Sequence, residues 1–284
     1  MLTSFIRDNA DVRQRMDLEF KKPHLAASKP PLVPHLSGRS SLIGTAFDYL
    51  LRFRVSRINP QTIQGRRWVA EAAVEYLTAF DHWEKDSPFL PAAMKIIADA
   101  KLHLAAFLAD GIVSRSLIKS SLLLATLDSF VRSFDAKEEL IGIIHEEDID
   151  EIQSLSNLVN EKDFKAHNLC LLNPTFGLAS ELVEGADADL VIDDTIIDIK
   201  TTKFLRLDVG AFRQVMGYYV LHHLGNVGEL DPKPAITKVA IYFSRYGFLF
   251  QIPLADIVNP NTFPDFLRWF EKRAKEDYPK EMRG

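Results

Sequence analysis

The feature that most constrains this chain is a change of hydrophobic period at Asn173-Pro174. From Ser41 the apolar residues recur at helical spacing, with Leu42, Ile43, Ala46, Phe47, Leu50 and Leu51 on one stripe and Ser40 or Ser41 placed to cap it. Further helical patterns follow at about 66–82, 92–110, 114–133 and 148–163. Beyond the break, FGLASELVEGADADLVIDDTIIDIKTT is rich in Val and Ile and punctuated by Gly177, Gly185 and Asp193-Asp194, which is the pattern of short strands and turns. Strands are expected near 178–184, 186–193 and 195–202, then a helix over 208–224 with Gly225 as its cap. Strands near 236–244 and 246–252, a hairpin at Arg245–Gly247 and a helix near 262–277 complete the pattern.

Helices followed by strand, strand, strand, helix, strand, strand predict an α/β fold in which the early helices pack on a later sheet. Pro23, Pro30, Pro31 and Pro34 predict an extended arm over residues 1–40. One integrated domain is expected over 41–284, with a helical part at 41–165 and a sheet core at 174–284.

Composition narrows the function classes. With 47% hydrophobic and 26% charged residues, the chain is neither disordered nor fibrous. Its one cysteine, Cys170, excludes a disulfide, a four-thiolate iron–sulfur cluster and a cysteine zinc site within one chain. No apolar run reaches the ~18–20 residues of a membrane span, and the first residues carry acids without an apolar core, so a cytoplasmic protein with no membrane partner is expected. Charge is unevenly placed: residues 1–70 hold twelve Lys/Arg against five Asp/Glu, and residues 135–198 hold three against seventeen. Arg52, Arg54, Arg57, Arg66 and Arg67 form a basic run beside Phe53 and Trp68 that could track a phosphate backbone or simply be a solvated helix end. His222-His223 point about 100° apart on a helix and read as charges at its C-terminus, not as a metal pair.

The chemistry concentrates in Asp189, Asp198, Ile199 and Lys200. Alternation along a strand puts Asp198 and Lys200 on one face and sends Ile197 and Ile199 to the other, while a tight hairpin can bring Asp189 close across the ladder. Two carboxylates and an ammonium at the edge of a hydrophobic sheet suit a hard divalent cation, Mg²⁺ or Mn²⁺, and phosphodiester hydrolysis. Asp193-Asp194 read as turn residues. Without a phosphate-binding GxxxxGK[ST] loop, any ATP-driven helicase activity would come from a partner protein.

In this order, Gly185-Ala186-Asp187-Ala188-Asp189, Asp198-Ile199-Lys200 and Gln214-Val215-Met216-Gly217-Tyr218 resemble the PD-(D/E)XK nuclease superfamily, and within it the RecB-type exonuclease branch. The resemblance spans residues 176–252. It implies a restriction-endonuclease-like mixed sheet core, αβββαβ, flanked by helices. It also implies a DNA substrate, with exonuclease action favoured over endonuclease action, in processing, repair or defence. Asp189 and Asp198 would be metal ligands with the Ile199 carbonyl, Lys200 the catalytic lysine, and Gln214 and Tyr218 site contacts. Asp187 could replace Asp189 if the pleat shifts by one. The upstream acid of the family falls on Asp48, with Glu71, Glu75 and Glu181 as rivals, Glu181 on the first expected strand. The family's cluster-bearing members use four cysteines, so no iron–sulfur cluster is expected. A catalytically silent nuclease-fold subunit that binds nucleic acid or protein is the alternative, and a phosphoesterase acting on a small nucleotide is a third.

Overall fold

A computed structural model of the protein describes residues 1–61, 63–64, 67–79, 89–133 and 142–278. Its helical part comprises α3 (Ser40–Ile58), α4 (Val69–Ala79), α5 (Phe89–Asp110), α6 (Arg115–Ser133) and α7 (Glu146–Asn157). These follow the 3.6-residue pattern closely: α3 buries Ile43, Ala46, Phe47, Leu50 and Leu51, and α5 buries Phe89, Ala93, Ala100 and Phe107. No helix among the described residues is long and apolar enough to cross a membrane.

The sheet is mixed and has the order β2 (Ile63–Gln64), β3 (Cys170–Leu172), β4 (Leu190–Ile192), β5 (Thr195–Lys200), β7 (Lys238–Phe243) and β8 (Phe248–Pro253). Strands β3, β4 and β5 run antiparallel, and β5 then pairs in parallel with β7 through the crossover helix α9 (Val209–Leu224). The central strands are buried on both faces, which is why they read as continuous Val, Ile and Leu. Leu190, Ile197, Ile199, Ala240 and Tyr242 join the core under the helical part. Val191, Ile196, Val239 and Ile241 join a second core with α9 and α10 (Phe263–Asp277). The β4–β5 turn is built on Asp193, whose φ of 51° suits a short polar residue. Its carboxylate accepts from the backbone N–H groups of His167, Asn168 and Leu169, which hold it down at about 2.

Two expectations are corrected. Residues 1–40 are not an extended arm throughout: α1 (Leu2–Asp8) and α2 (Ala10–Glu19) are helices that bury Phe5, Ile6, Val12 and Met16 in the second core. Only the stretch after them is extended, where β1 (Ala26–Ala27) pairs with β6 (Leu205–Arg206). The prolines all lie after residue 22, so they say nothing about the first nineteen residues, whose short apolar stripes are diluted by charge. The expected strand at 178–184 is instead the one-turn helix α8 (Leu178–Glu181), closed off by Gly177 and Gly185 with positive φ. The strand that pairs with β4 lies upstream, at Cys170–Leu172, so the sheet core begins before Asn173. Three residues are too few to display a period.

Candidate active site

The β4–β5 hairpin and α9 converge where β5 ends. In β5, Asp198 and Lys200 project opposite to Ile197 and Ile199, toward α9. Asp198 is 1% exposed and holds the Lys200 ammonium at 3.0 Å from Oδ1 and 2.8 Å from Oδ2. Lys200 Nζ also donates to Gln214 Oε1 at 2.9 Å, and Gln214 Nε2 donates to Tyr218 Oη at 2.7 Å. Gln214 and Tyr218 share a face because they are four apart on α9, which Asp208 caps by accepting from Ala211 N–H at 2.8 Å. The Tyr218 ring is stacked on Phe176, with centroids 5.7 Å apart.

Asp189 lies just before β4, one position beyond the Leu190–Ile197 pair and thus opposite Asp198. Its Oδ2 accepts from the Ile199 N–H at 2.6 Å, and its own carbonyl accepts from Asn173 N–H. The register therefore gives the hairpin contact to Asp189; Asp187 forms an isolated bridge with Thr175 instead. From the other face of the sheet, α3 crosses the end of β5 closely enough that a Cβ on Gly44 would lie 3.9 Å from Thr201 Cβ. This crossing brings Asp48 into the electrostatic field of Asp189.

Burial, then the charges of Asp48 and Asp198, hold the Asp189 carboxyl well above the usual carboxylate range. Burial also raises Asp198, opposed by Lys200. For Lys200 burial favours loss of the proton, but Asp198 and Asp189 outweigh it and raise its pKa. Tyr218 is pushed well up by burial and by the same two carboxylates, so its hydroxyl stays protonated.

Of the upstream acids, Asp48 alone is brought to the cluster; it is ion-paired with Arg52 one turn along α3. Glu71 accepts from Trp68 N–H and pairs with Lys101, Glu75 pairs with Arg67, and Glu181 is exposed on α8, not on a strand. The basic run is not one stripe. Arg52 is buried over the Tyr49 ring, Arg54 binds Ser156 and Glu161, and Arg57 lies over Phe107, while Arg66 falls outside the described residues. Position 52 faces away from positions 54 and 57, which lie three apart on the helix and brace neighbouring elements. One buried acid went unnoticed in sequence: Asp128, 2% exposed on α6, lies in the field of Arg52 and Tyr49. A lone Asp inside LLLATLDSF was its only signal.

The donor set suits a hard divalent cation. Asp189 and Asp198 set two buried carboxyl groups beside the single ammonium of Lys200, which lies 2.8 Å from Asp198 Oδ2, and the mutual repulsion that adds to burial in raising Asp189 is what a bound cation would relieve. Among the described residues no three Asp, Glu, His or Cys side chains form a closed cage. Mg²⁺ commonly takes one or two carboxylates and completes its shell with water and phosphate. No family model matches the chain, and comparison with curated proteins and with solved structures finds no match either.

Proposed function

We propose that this protein is a metal-dependent nuclease of the PD-(D/E)XK superfamily, of the RecB-type exonuclease branch, acting on DNA. The observation that carries the reading is the hydrogen-bonded line from Asp198 through Lys200 and Gln214 to Tyr218, with Asp189 beside it. Residues spread over 189–218 meet in one buried cluster, in the order and on the elements the resemblance implies. With β2, α4–α7, α8 and β6 taken as insertions, the order α3, β3, β4, β5, α9, β7 is compatible with the αβββαβ core of a restriction-endonuclease-like fold, which supports this reading.

In this reading Asp189 and Asp198, with the Ile199 carbonyl, would hold Mg²⁺ or Mn²⁺, and Asp48 would complete the acidic side. The bound ion would supply Lewis-acid polarisation of a phosphoryl oxygen and lower the pKa of a water. Lys200, charged and fixed between two acceptors, orients the attacking water and offsets charge that develops on the phosphate. Gln214 holds Lys200 in place, and Tyr218 holds Gln214.

The test is digestion of end-labelled single- and double-stranded DNA with Mg²⁺ or Mn²⁺, beside folded Lys200→Ala and Asp198→Ala proteins. Cleavage lost in both variants is expected, with the product ladder distinguishing attack from an end from internal cuts. Equal cleavage by all three proteins would defeat the assignment. The silent-subunit alternative finds support in the Arg52 contact that occupies Asp48. Thermal melting separates the two readings: Mn²⁺ at 100 times its Kd stabilises a binding site by about 2.7 kcal/mol, and that shift should vanish in Asp198→Ala.

A further inference from the structure

We propose that Phe204 is a stacking platform for a base of single-stranded DNA leading to the Lys200 site, an inference that rests on the nuclease reading. Phe204 closes the connection between β5 and β6, immediately before β6, and is 54% exposed. Two exposed cations flank its ring: Lys203 Nζ lies 5.6 Å, and the Arg206 guanidinium carbon 5.3 Å, from the centroid. An exposed aromatic with two cations at its ring offers stacking area to a base and charges to the phosphates next to it. Exposed cation–π contacts are weaker than base stacking, so a base can displace these cations from the ring toward phosphate.

The connection is held firmly, which lowers the cost of ordering on binding. Tyr246 Oη donates to the Lys203 carbonyl at 2.7 Å, and Phe204 N–H donates to Thr202 Oγ1 at 3.3 Å. Thr201 and Ser244 hydroxyls are 2.9 Å apart at its base. On its far side β6 pairs with β1, and Leu207 N–H donates to the Leu25 carbonyl at 2.9 Å. Phe204 follows Lys200 by four residues, so their Cα atoms are at most about 14 Å apart. At the 3.4 Å rise of a stacked strand that is at most about four nucleotides, and fewer for an extended one. A duplex base has both faces covered by its neighbours, so the platform selects unpaired strands.

The experiment measures binding of a fluorescein-labelled oligothymidylate by anisotropy, with Mg²⁺, in a Lys200→Ala background that spares the strand. Phe204→Ala and Phe204→Leu should weaken binding about 5- to 150-fold, while Phe204→Trp restores it. Lys203→Ala with Arg206→Ala should reduce the slope of log affinity against log salt by about 1.4, two single-strand phosphate contacts. Unfolding midpoints should match across the set, since all three side chains are exposed. Equal affinity of Phe204→Ala, full rescue by Phe204→Leu, or no binding by the parent would each overturn the platform. Cleavage by protein with Lys200 intact is scored separately. Cleavage that persists while Phe204→Ala binds normally removes the platform alone, and absence of both cleavage and binding removes the nuclease reading with it.

Discussion

Lys200 is fixed by acceptors from two elements, Asp198 on its own strand and Gln214 on the crossover helix. Its raised pKa keeps it an ammonium, so it acts as a donor and a charge, and its position depends on Gln214. Gln214→Ala should lower kcat by about 100-fold with KM little changed, the scale of a group displaced by an ångström. Tyr218→Phe should cost far less, because the ring stays on Phe176 and only the acceptor for Gln214 Nε2 is lost. Steady-state kinetics on an oligonucleotide would show the difference, and equal losses would deny Gln214 its positioning role. His222, read from the sequence as a charge at the C-terminus of α9, is instead buried there, and its Nδ1 accepts from Val227 N–H at 3.3 Å. Burial, with Lys233 and His223 nearby, lowers it from 6.5 to about 4. Between those values the unfolded chain binds a proton that the folded chain refuses, so stability is present above 6.5 and is lost as pH falls toward 4. Discounted for solvent, the loss is about 1–2 kcal/mol. His222→Asn keeps an acceptor without the titration, and its melting temperature should vary less with pH across this window than that of the parent; identical pH profiles would exclude His222 as the source.

At the scale of elements, a buried ion pair ties three of them together. Arg245 and Glu151 are both 0% exposed and joined to each other, linking the β7–β8 turn to α7. Arg245 also donates to the carbonyls of Val33 and Pro34, and Glu151 accepts from Leu36 and Ser37 N–H, so the proline-rich strap is clamped to both. Removing one partner leaves the other charge buried, so Glu151→Ala should destabilise by about 3–5 kcal/mol, whereas Glu151→Leu with Arg245→Met should cost much less. Urea unfolding of both variants tests this, and a double variant as unstable as Glu151→Ala or more so would mean that an uncompensated buried charge is not the cause of the loss. Glu151 and Arg245 are 94 residues apart, and nothing in their local sequence marks a pair. What was legible was local: Asp189, Asp198 and Lys200 sit on a hairpin whose period of two decides their face, and Gln214 and Tyr218 on a helix whose period of 3.6 decides theirs. The signal failed where an element is short or its partner distant. Leu178–Glu181 is one turn, Cys170–Leu172 is three residues, and α1 is stabilised by packing on α9, where Gly217 lets Leu2 and Ile6 approach. Likewise Asp48 reaches Asp189 only because α3 crosses the end of β5, a tertiary fact that no spacing within α3 encodes.

At the scale of the molecule, the sheet is a wall common to two hydrophobic cores. Residues of β4, β5 and β7 alternate between them, so the strands that present Asp198 and Lys200 are gripped from both sides. That sandwich lets the protein hold buried carboxylates together against their repulsion, since neither face can relax without exposing the other. It also predicts how the chain unfolds. Trp68 reports on the core under the helical part, where it packs with Tyr49 and Phe53, and Trp269 reports on the second core beside Phe266. If the sheet couples the two, losing either core strips one face of the same strands, and neither half keeps a structure of its own. Variants retaining only Trp68 or only Trp269 should therefore give superimposable urea transitions by fluorescence, coincident with the loss of helical circular dichroism. A Trp269 signal that survives the loss of the Trp68 signal would instead make the helical part a separable unit. The site would then outlast it, with Asp48 withdrawn from a cluster otherwise intact on β5 and α9.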